Sequence, residues 1–160
     1  MKKYVLSVDN GGTYIKCAIY DDAGENVFAV KERNELLEST EGECEYDQDK
    51  LWNINCRCIK RAIKESGISA EEIVGIGIAG QGCGFYATDK DGNSIRNAIT
   101  SADNRALTQV TRWIEKGLDK KTYSVTYREP SPGCWCSILA WLKENEKRNY
   151  DKIDSLFSMK

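Results

Sequence analysis

Two glycine-rich segments carry residue types that could bind a phosphorylated ligand. The first reads DNGGTYIK from Asp9 to Lys16, and the second reads GQGCG from Gly80 to Gly84. Glycines let backbone N–H groups approach phosphate oxygens closely, and a threonine hydroxyl adds a further donor. Asp9 cannot bind phosphate directly, but its carboxylate could hold the Mg²⁺ that neutralises phosphates, through water molecules.

Each segment also has a purely structural interpretation. Asn-Gly is the strongest short signal for a tight β-hairpin, so the first segment could serve only to reverse the chain. The glycines of the second segment could mark the corner between a strand and a hairpin. Neither segment matches the Walker sequence or the dinucleotide-binding fingerprint. On these residues alone, both interpretations stay open.

A third cluster, SADNRA at residues 101–106, places Asp103 and Arg105 just before a predicted helix. Asp103 could contact a ligand, but it is equally suited to cap the helix. Cys83 in the second segment is not expected to be a nucleophile, because the chain contains no histidine to activate it. A general base at neutral pH would therefore be a carboxylate, or a Cys or Lys with a shifted pKa.

The hydrophobic pattern of the first half of the chain predicts the strands and the helix that must position these clusters. Residues 4–8, 13–20 and 27–33 alternate as strands do, and residues 34–46 are polar and acidic, which indicates a loop. Residues 51–63 follow the spacing of an amphipathic helix, which ends at Ser66 and Gly67.

The second half continues the alternation. A capping box at Ser69 and Glu72 precedes the apolar run IVGIGIA, which predicts a strand covered on both faces. Residues 85–88 and 94–100 predict a hairpin around the turn DKDGN. A helix is predicted over 105–116 and ends at Gly117, with Leu107, Val110 and Ile114 on its buried face. Ser131 and Pro132 predict the start of another helix. A strand is predicted at the end of the sequence.

Composition limits the domain count and the classes of partner. A chain of 160 residues with 41% hydrophobic residues fits one soluble domain over 1–160. A net charge of −2 provides no positive field for nucleic acid or an anionic membrane, and no stretch reaches the length of a membrane span. The first apolar run is too short for a signal peptide. Seven cysteines, an odd number without the ligand spacing of zinc sites, indicate reduced thiols. We expect a cytoplasmic protein with small-molecule partners.

The three clusters, taken in order, resemble the motifs of the FGGY carbohydrate kinases, members of the actin, hexokinase and sugar-kinase superfamily. The first domain of these kinases opens with a strand ending in D-x-G-[TG]-[TS], followed by a lysine, as in DNGGTYIK. An I-G-I-A-G-Q segment and a D-x-R-A segment come later in the family, as they do here. The resemblance covers the whole chain, and the ordered set is far more specific than any one motif.

The resemblance implies a role for each matching residue. Asp9 would position the ATP phosphates and hold Mg²⁺ through water, and the sugar would lie at the second and third clusters. The phosphate-binding residues would be Gly11, Gly12, Thr13 and Lys16, and the substrate-binding residues would be Gln81, Gly82, Cys83, Asp103 and Arg105.

The implied substrate is a pentulose. The L-xylulose kinase branch looks closest, because xylulokinases more often have Met-His where this chain has Gly82-Cys83 and a tryptophan where it has Ser101. A kinase for another sugar or polyol, and a non-catalytic sugar- or anion-binding module of the same fold, remain the alternatives.

The implied fold is an α/β actin-like ATPase domain of the ribonuclease H-like class, with a mixed five-stranded sheet, flanking helices and an inserted β-hairpin. These kinases are considerably longer, and their catalytic aspartate and adenosine-binding second domain lie beyond the matched region. We therefore expect residues 1–160 to be the N-terminal part of such a kinase, inactive by itself, with a general base beyond residue 160. Surface left uncovered would favour a homodimer or aggregation.

Overall fold

A computed structural model describes residues 2–38 and 41–160, which form strands and helices in a mixed order. The strands are β1 (Tyr4–Asn10), β2 (Tyr14–Tyr20), β3 (Asn26–Arg33), β4 (Leu37–Glu38), β5 (Cys44–Tyr46), β6 (Ile73–Gly80), β7 (Tyr86–Thr88), β8 (Ala98–Ile99) and β9 (Ser155–Phe157). The helices are α1 (Gln48–Ser66), α2 (Leu107–Glu115), α3 (Leu118–Thr126), α4 (Trp135–Asn145) and α5 (Lys147–Tyr150).

The elements belong to two compact units. The first unit contains the chain up to Leu36, together with Asp49–Gly82 and Met159–Lys160. The second unit contains Leu37–Gln48 and Cys83–Ser158. None of the helices in the described ranges has the length and hydropathy needed to cross a bilayer.

The first unit is built on a mixed sheet with the strand order β3-β2-β1-β6. The strands β1, β2 and β3 form an antiparallel meander, and β6 pairs in parallel with β1. Within the described residues this sheet has four strands rather than the predicted five. The difference arises because the last strand, β9, pairs with β7 in a separate two-stranded sheet.

One face of the meander is covered by α1. Alternate residues of a strand point to the same face, and every second residue is buried along β2 and in the middle of β1. The Cys58 sulfur of α1 lies 3.7 Å from the Ile15 carbonyl oxygen of β2. The buried apolar residues of these elements are Leu6, Val8, Ile15, Cys17, Ile19, Leu51, Ile54, Cys58 and Ala62.

The prediction that β6 is covered on both faces is wrong for this chain. Val74, Ile76 and Ile78 are 60–63% exposed. The strand lies at the end of the sheet and is hydrogen-bonded to β1 alone among the described residues. A run of apolar residues indicates that a strand is suited to burial. Whether the strand is buried depends on other segments that pack against its two faces.

The second unit has a core where short strands meet α4. Two small sheets, β4-β5-β8 and β7-β9, contribute to it. Its fully buried members include Phe85, Ile138 and Leu142. The predicted loop at 34–46 is therefore interrupted by β4 and β5, which pair with each other and with β8. Such two- and three-residue strands are formed by long-range pairing, so no local pattern announces them.

The predicted hairpin forms only in part. The DKDGN turn is confirmed, since the Asp89 N–H donates to the Asn93 carbonyl oxygen at 2.9 Å and Gly92 has a φ of 81°. Beyond the turn, the described residues pair across the hairpin through isolated bridges, Thr88 with Ser94 and Phe85 with Ile99. The strands diverge because β7 pairs with β9 and β8 pairs with β5.

Helix α2 buries a different face from the predicted one. Val110 is buried as expected, but Leu107 and Ile114 are 54% and 52% exposed. Gln109 is buried instead, and its amide donates to Glu144 Oε2 of α4 at 3.1 Å. A buried polar contact of this kind rotates the helix away from the purely apolar stripe. Gly117, with a φ of 68°, ends the helix as predicted, and the capping box before β6 is also confirmed.

Replacing Ile138 with alanine should lower the free energy of unfolding by about 2–5 kcal/mol, because the side chain is fully buried and a cavity would remain. The matched control is Leu107→Ala, which the exposed position predicts to cost about 0.5 kcal/mol or less. Urea unfolding followed by circular dichroism measures both. Equal losses would contradict the burial assigned to α2 and α4.

Stability should fall at alkaline pH through Cys17, which is fully buried. Burial, and then the hydrogen bond with Cys58, raise the pKa of the Cys17 thiol from 9.0 to about 12. The folded state thus favours the neutral thiol, and this stabilisation is complete below about pH 9 and is lost as the pH rises toward about 12. Urea unfolding at both ends of that range should show a shallower decline for Cys17→Ala than for the parent chain. A decline of the same steepness in both proteins would refute the assignment.

Candidate functional site

The DNGG segment is a hairpin connection between β1 and β2 that leaves its acidic residue accessible. Asp9 pairs with Lys16 across the two strands. Lys16 Nζ lies 3.4 Å from Asp9 Oδ2, and the two side chains are 59% and 49% exposed, respectively. An exposed ion pair of this kind contributes about 0–1 kcal/mol, so each side chain can exchange its partner for a ligand.

Backbone contacts fix the loop itself. Gly11 is required, since a Cβ at this position would lie 2.6 Å from the Tyr14 carbonyl oxygen. Asn34 is buried and donates its backbone N–H to the Thr13 carbonyl oxygen at 2.9 Å. Its side-chain amide reaches the Gly11 carbonyl oxygen at 3.5 Å. Gly12 is half-buried and Thr13 is exposed, so the tip of an anchored loop faces outward.

Asn10 connects this loop to two other segments of the first unit. Its side-chain amide donates to the Met159 carbonyl oxygen at 2.6 Å. Its side-chain oxygen accepts from Asn55 Nδ2 of α1 at 3.2 Å, and Asn55 Nδ2 also donates to the Leu51 carbonyl oxygen at 2.9 Å. From the sequence, Asn10 was identified only as part of the Asn-Gly turn signal, and Asn34 was not identified. A further signal was Asn55, a polar residue on the apolar face of a predicted helix.

The parallel ladder brings the second glycine segment beside the first. Asn10 is the register partner of Gly80, so both loops leave the sheet at the carboxyl ends of adjacent strands, as expected. A Cβ on Gly80 would lie 3.2 Å from Asn10 Cβ, which favours glycine at this contact. Gly82 is exposed, and a Cβ there would meet nothing within 4 Å.

Gln81 is the unsatisfied group of this edge. Its Oε1 atom is buried and has no hydrogen-bond partner among the residues that the structure describes. A buried acceptor without a hydrogen bond costs about 1–3 kcal/mol of free energy. A ligand hydroxyl that donates a hydrogen bond to this atom would recover that free energy on binding.

Cys83 lies in the second unit and has a cationic partner. The Arg128 guanidinium donates to the Cys83 sulfur, and this hydrogen bond is the main cause that raises the pKa of Arg128 above its usual value. The next residue, Gly84, has a φ of 106°, and a Cβ there would lie 3.0 Å from the Ile99 carbonyl oxygen. Glycine at position 84 therefore sets the direction in which the Cys83 loop leaves the sheet.

Asp103 and Arg105 form a buried pair in the second unit. Asp103 is 1% exposed, and its carboxylate accepts from the Cys44 N–H at 2.7 Å and from the Arg105 N–H and Nε, both at 2.9 Å. Arg105 Nη2 also donates to Glu45 Oε1 at 2.7 Å. Burial lowers the pKa of Arg105, but the hydrogen bonds to Asp103 and Glu45 outweigh it and hold that pKa above its usual value.

The network extends through a second arginine. Arg96 donates to Glu45 and to Glu146 and is itself largely buried. The alternative that Asp103 caps α2 is wrong, because the helix begins later and its cap residue is Ala106, which makes no side-chain cap bond. The paired charges instead tie the segment before α2 to β5.

Gly133 holds a second constraint on the same segment. A Cβ at Gly133 would lie 2.2 Å from the Ser101 carbonyl oxygen, so only glycine fits. The contact keeps the start of α4 against the 101–106 segment.

The predicted residues thus divide between the two units. The first unit holds Asp9, Gly11, Gly12, Thr13, Lys16, Gln81 and Gly82, and the second holds Cys83, Asp103 and Arg105.

Comparison with known proteins gives a consistent answer. The profile of the N-terminal domain of the FGGY family of carbohydrate kinases matches residues 4–160. A probable L-xylulose kinase from Pasteurella multocida is 39% identical over 153 residues, covering 96% of this chain and 32% of the relative. The L-xylulose/3-keto-L-gulonate kinase of Escherichia coli is 37% identical, over 96% of this chain and 31% of the relative. The chain therefore spans about a third of the length of the curated relatives it matches.

The fold agrees with this match. The crystal structure of gluconate kinase from Lactobacillus acidophilus superposes with a TM-score of 0.92 at 23% identity, covering 99% of this chain and 32% of that structure. The order of three antiparallel strands, a helix and a parallel strand is that of the actin-like, ribonuclease H-like fold, as expected. On the match of almost its whole length, this chain belongs to the FGGY family of carbohydrate kinases.

Proposed function

We propose that the protein to which this chain belongs transfers the γ-phosphate of ATP to a hydroxyl of a pentulose of the L-xylulose type. The observation that carries the proposal is the pairing of Asn10 with Gly80, which brings the phosphate-type loop and the Gln81 segment to one edge of one sheet. The names of the two curated relatives support L-xylulose as the substrate.

The β1–β2 loop would hold the nucleotide phosphates. Gly11, Gly12 and Thr13 would present backbone N–H groups and a hydroxyl, and Lys16 would exchange Asp9 for a phosphate oxygen. Asp9 suits Mg²⁺ as a single, accessible carboxylate binding through water. Among the described residues no three His, Cys, Asp or Glu side chains gather into a metal site, so most ligands would be phosphate oxygens and waters. The metal would supply charge neutralisation during transfer.

The segment after β6 would bind the sugar. Gln81 would accept a hydrogen bond from a sugar hydroxyl at its unsatisfied Oε1 atom, and Gly82 leaves open space beside it. Cys83 would border the sugar while held by Arg128. For Asp103 and Arg105 we propose a positioning role, because their polar atoms are already paired with each other and with β5.

Two further parts of the proposal concern chemistry and location. The general base that deprotonates the sugar hydroxyl would lie beyond residue 160, as the resemblance implies. The cytoplasm is the proposed compartment, since all seven cysteines are free thiols, as a reducing environment maintains them.

Activity of the full-length product of the reading frame tests the kinase proposal. L-xylulose should be phosphorylated in preference to D-xylulose, gluconate and glycerol, with production of ADP as the readout. Asp9→Asn should lower kcat by at least about a hundredfold through weakened phosphate and metal placement. Asp22→Asn, an exposed turn residue, is the matched control and should retain full activity.

Equal rates for Asp9→Asn and the parent protein would remove Asp9 from the mechanism. If none of the tested sugars led to production of ADP, the kinase proposal would be refuted. Residues 1–160 by themselves should show no phosphorylation, because the base and the adenosine site are proposed to lie elsewhere. Turnover by this chain alone would show that both are present in it.

We also propose that the 160-residue chain self-associates through β6, an edge strand with three exposed β-branched residues. Ile76→Lys should shift the chain toward monomer, because a charge on an edge strand opposes strand-to-strand pairing. Val125→Lys, at a 78% exposed position on α3, is the control. Sedimentation velocity over a range of concentrations measures the effect. A parent chain that stays monomeric at high concentration would contradict the proposal.

A further inference from the structure

The second unit contains a cavity of about 500 Å³ that the proposed kinase chemistry does not use. It is bordered by α2, α3, the segment at 128–134 and the first turn of α4. Its apolar walls come from the indoles of Trp113 and Trp135, together with Leu118 and Pro130. The volume falls within the range of small-molecule sites, about 300–1,000 Å³.

The polar lining of this cavity has a surplus of acceptors. Asp119 Oδ1 is buried and has no hydrogen-bond partner in the part of the chain that the structure describes. The neighbouring hydroxyls do not serve it: Thr122 donates to the Leu118 carbonyl oxygen at 2.8 Å, and Thr126 donates to the Thr122 carbonyl oxygen at 3.0 Å. The cavity therefore presents a buried carboxylate oxygen that still requires a donor.

The charges around the cavity favour a cationic occupant. Glu129 lines it and adds a second carboxylate. Arg128 is also part of the lining, but its guanidinium donates to the Cys83 sulfur. Lys120 lines an adjoining hollow together with Tyr123, and Asp119 and Glu129 border that hollow as well as the cavity. The unsatisfied group in the lining of the cavity is thus the Asp119 carboxylate, which is an anion. The arginine in the lining, Arg128, already has a hydrogen-bond partner in Cys83.

We propose that this cavity binds a small organic cation, an ammonium or quaternary ammonium group carried on an apolar body. The face of an indole attracts a cation within about 6 Å of its centroid, and tryptophan is the strongest of the aromatic residues in this respect. The Asp119 carboxylate would neutralise the charge, and Leu118 and Pro130 would contact the apolar body. This ligand class differs from the sugar and nucleotide of the proposed kinase reaction, so binding can be tested without activity.

Calorimetric titration of the 160-residue chain with benzyltrimethylammonium tests the proposal, with benzyl alcohol and benzoate as neutral and anionic comparators. The cation should bind and both comparators should bind at least about tenfold more weakly, because a desolvated cation–π contact contributes about 2 kcal/mol. Asp119→Asn should weaken binding of the cation by about tenfold. Asp22→Asn, in an exposed turn of the first unit, should leave the affinity unchanged.

A second variant and a second readout keep the test decisive. Trp135→Leu should also weaken binding and should reduce the tryptophan fluorescence change that the cation causes, with Trp113 responsible for the remainder. Circular dichroism verifies the fold of each variant, and Glu129→Gln replaces Asp119→Asn if that variant unfolds, with weakened binding again expected. The proposal is overturned if the cation does not bind at millimolar concentration, if benzyl alcohol binds as tightly, or if the carboxylate substitution that folds leaves the affinity unchanged.

Discussion

The parallel pairing of β1 with β6 is the contact on which the candidate site depends. In an antiparallel pair, the carboxyl ends of the two strands lie at opposite ends of the sheet. Because β1 and β6 are parallel, the loop that follows β1 and the loop that follows β6 leave the sheet at the same edge. Gly80 permits the close approach to Asn10, where a Cβ would lie 3.2 Å from Asn10 Cβ. Because the pairing is made by backbone groups, it positions the two loops without requiring a bound ligand.

The two units position their polar residues by different physical means. In the first unit, asparagine amides and glycines hold the loop, and the charged residues Asp9 and Lys16 remain largely exposed. In the second unit, the charges of Asp103 and Arg105 are buried and mutually satisfied. Removing one member of such a buried pair leaves an uncompensated charge, so that network is sensitive to substitution whether or not it contacts a ligand. An accessible charge is suited to exchanging partners, and a buried one is suited to fixing a backbone.

The sequence predicted those parts of the fold that are encoded locally. The meander, α1 and β6 follow from runs of alternating, periodic or continuous apolar residues, and the turns from their glycines. The strands β4 and β5 escaped prediction because two or three residues acquire strand geometry only through distant partners. The orientation of α2 escaped as well, since the polar Gln109 is buried against α4 while the apolar Leu107 faces solvent. The motifs identified the candidate site residues, but they did not predict which of these residues are buried. Two charged residues that are close in sequence can be surrounded either by water or by protein, and the sequence alone does not distinguish the two cases.

Asn10 has a consequence for the way the chain is made. Its side chain bonds to Met159, 149 residues further along, as well as to α1. The β1–β2 loop is synthesised well before Met159, the partner that completes its support. Strand β6 is also synthesised long after β1. Until α1 and Met159 have been synthesised, DNGG is therefore an incompletely supported loop on a nascent polypeptide.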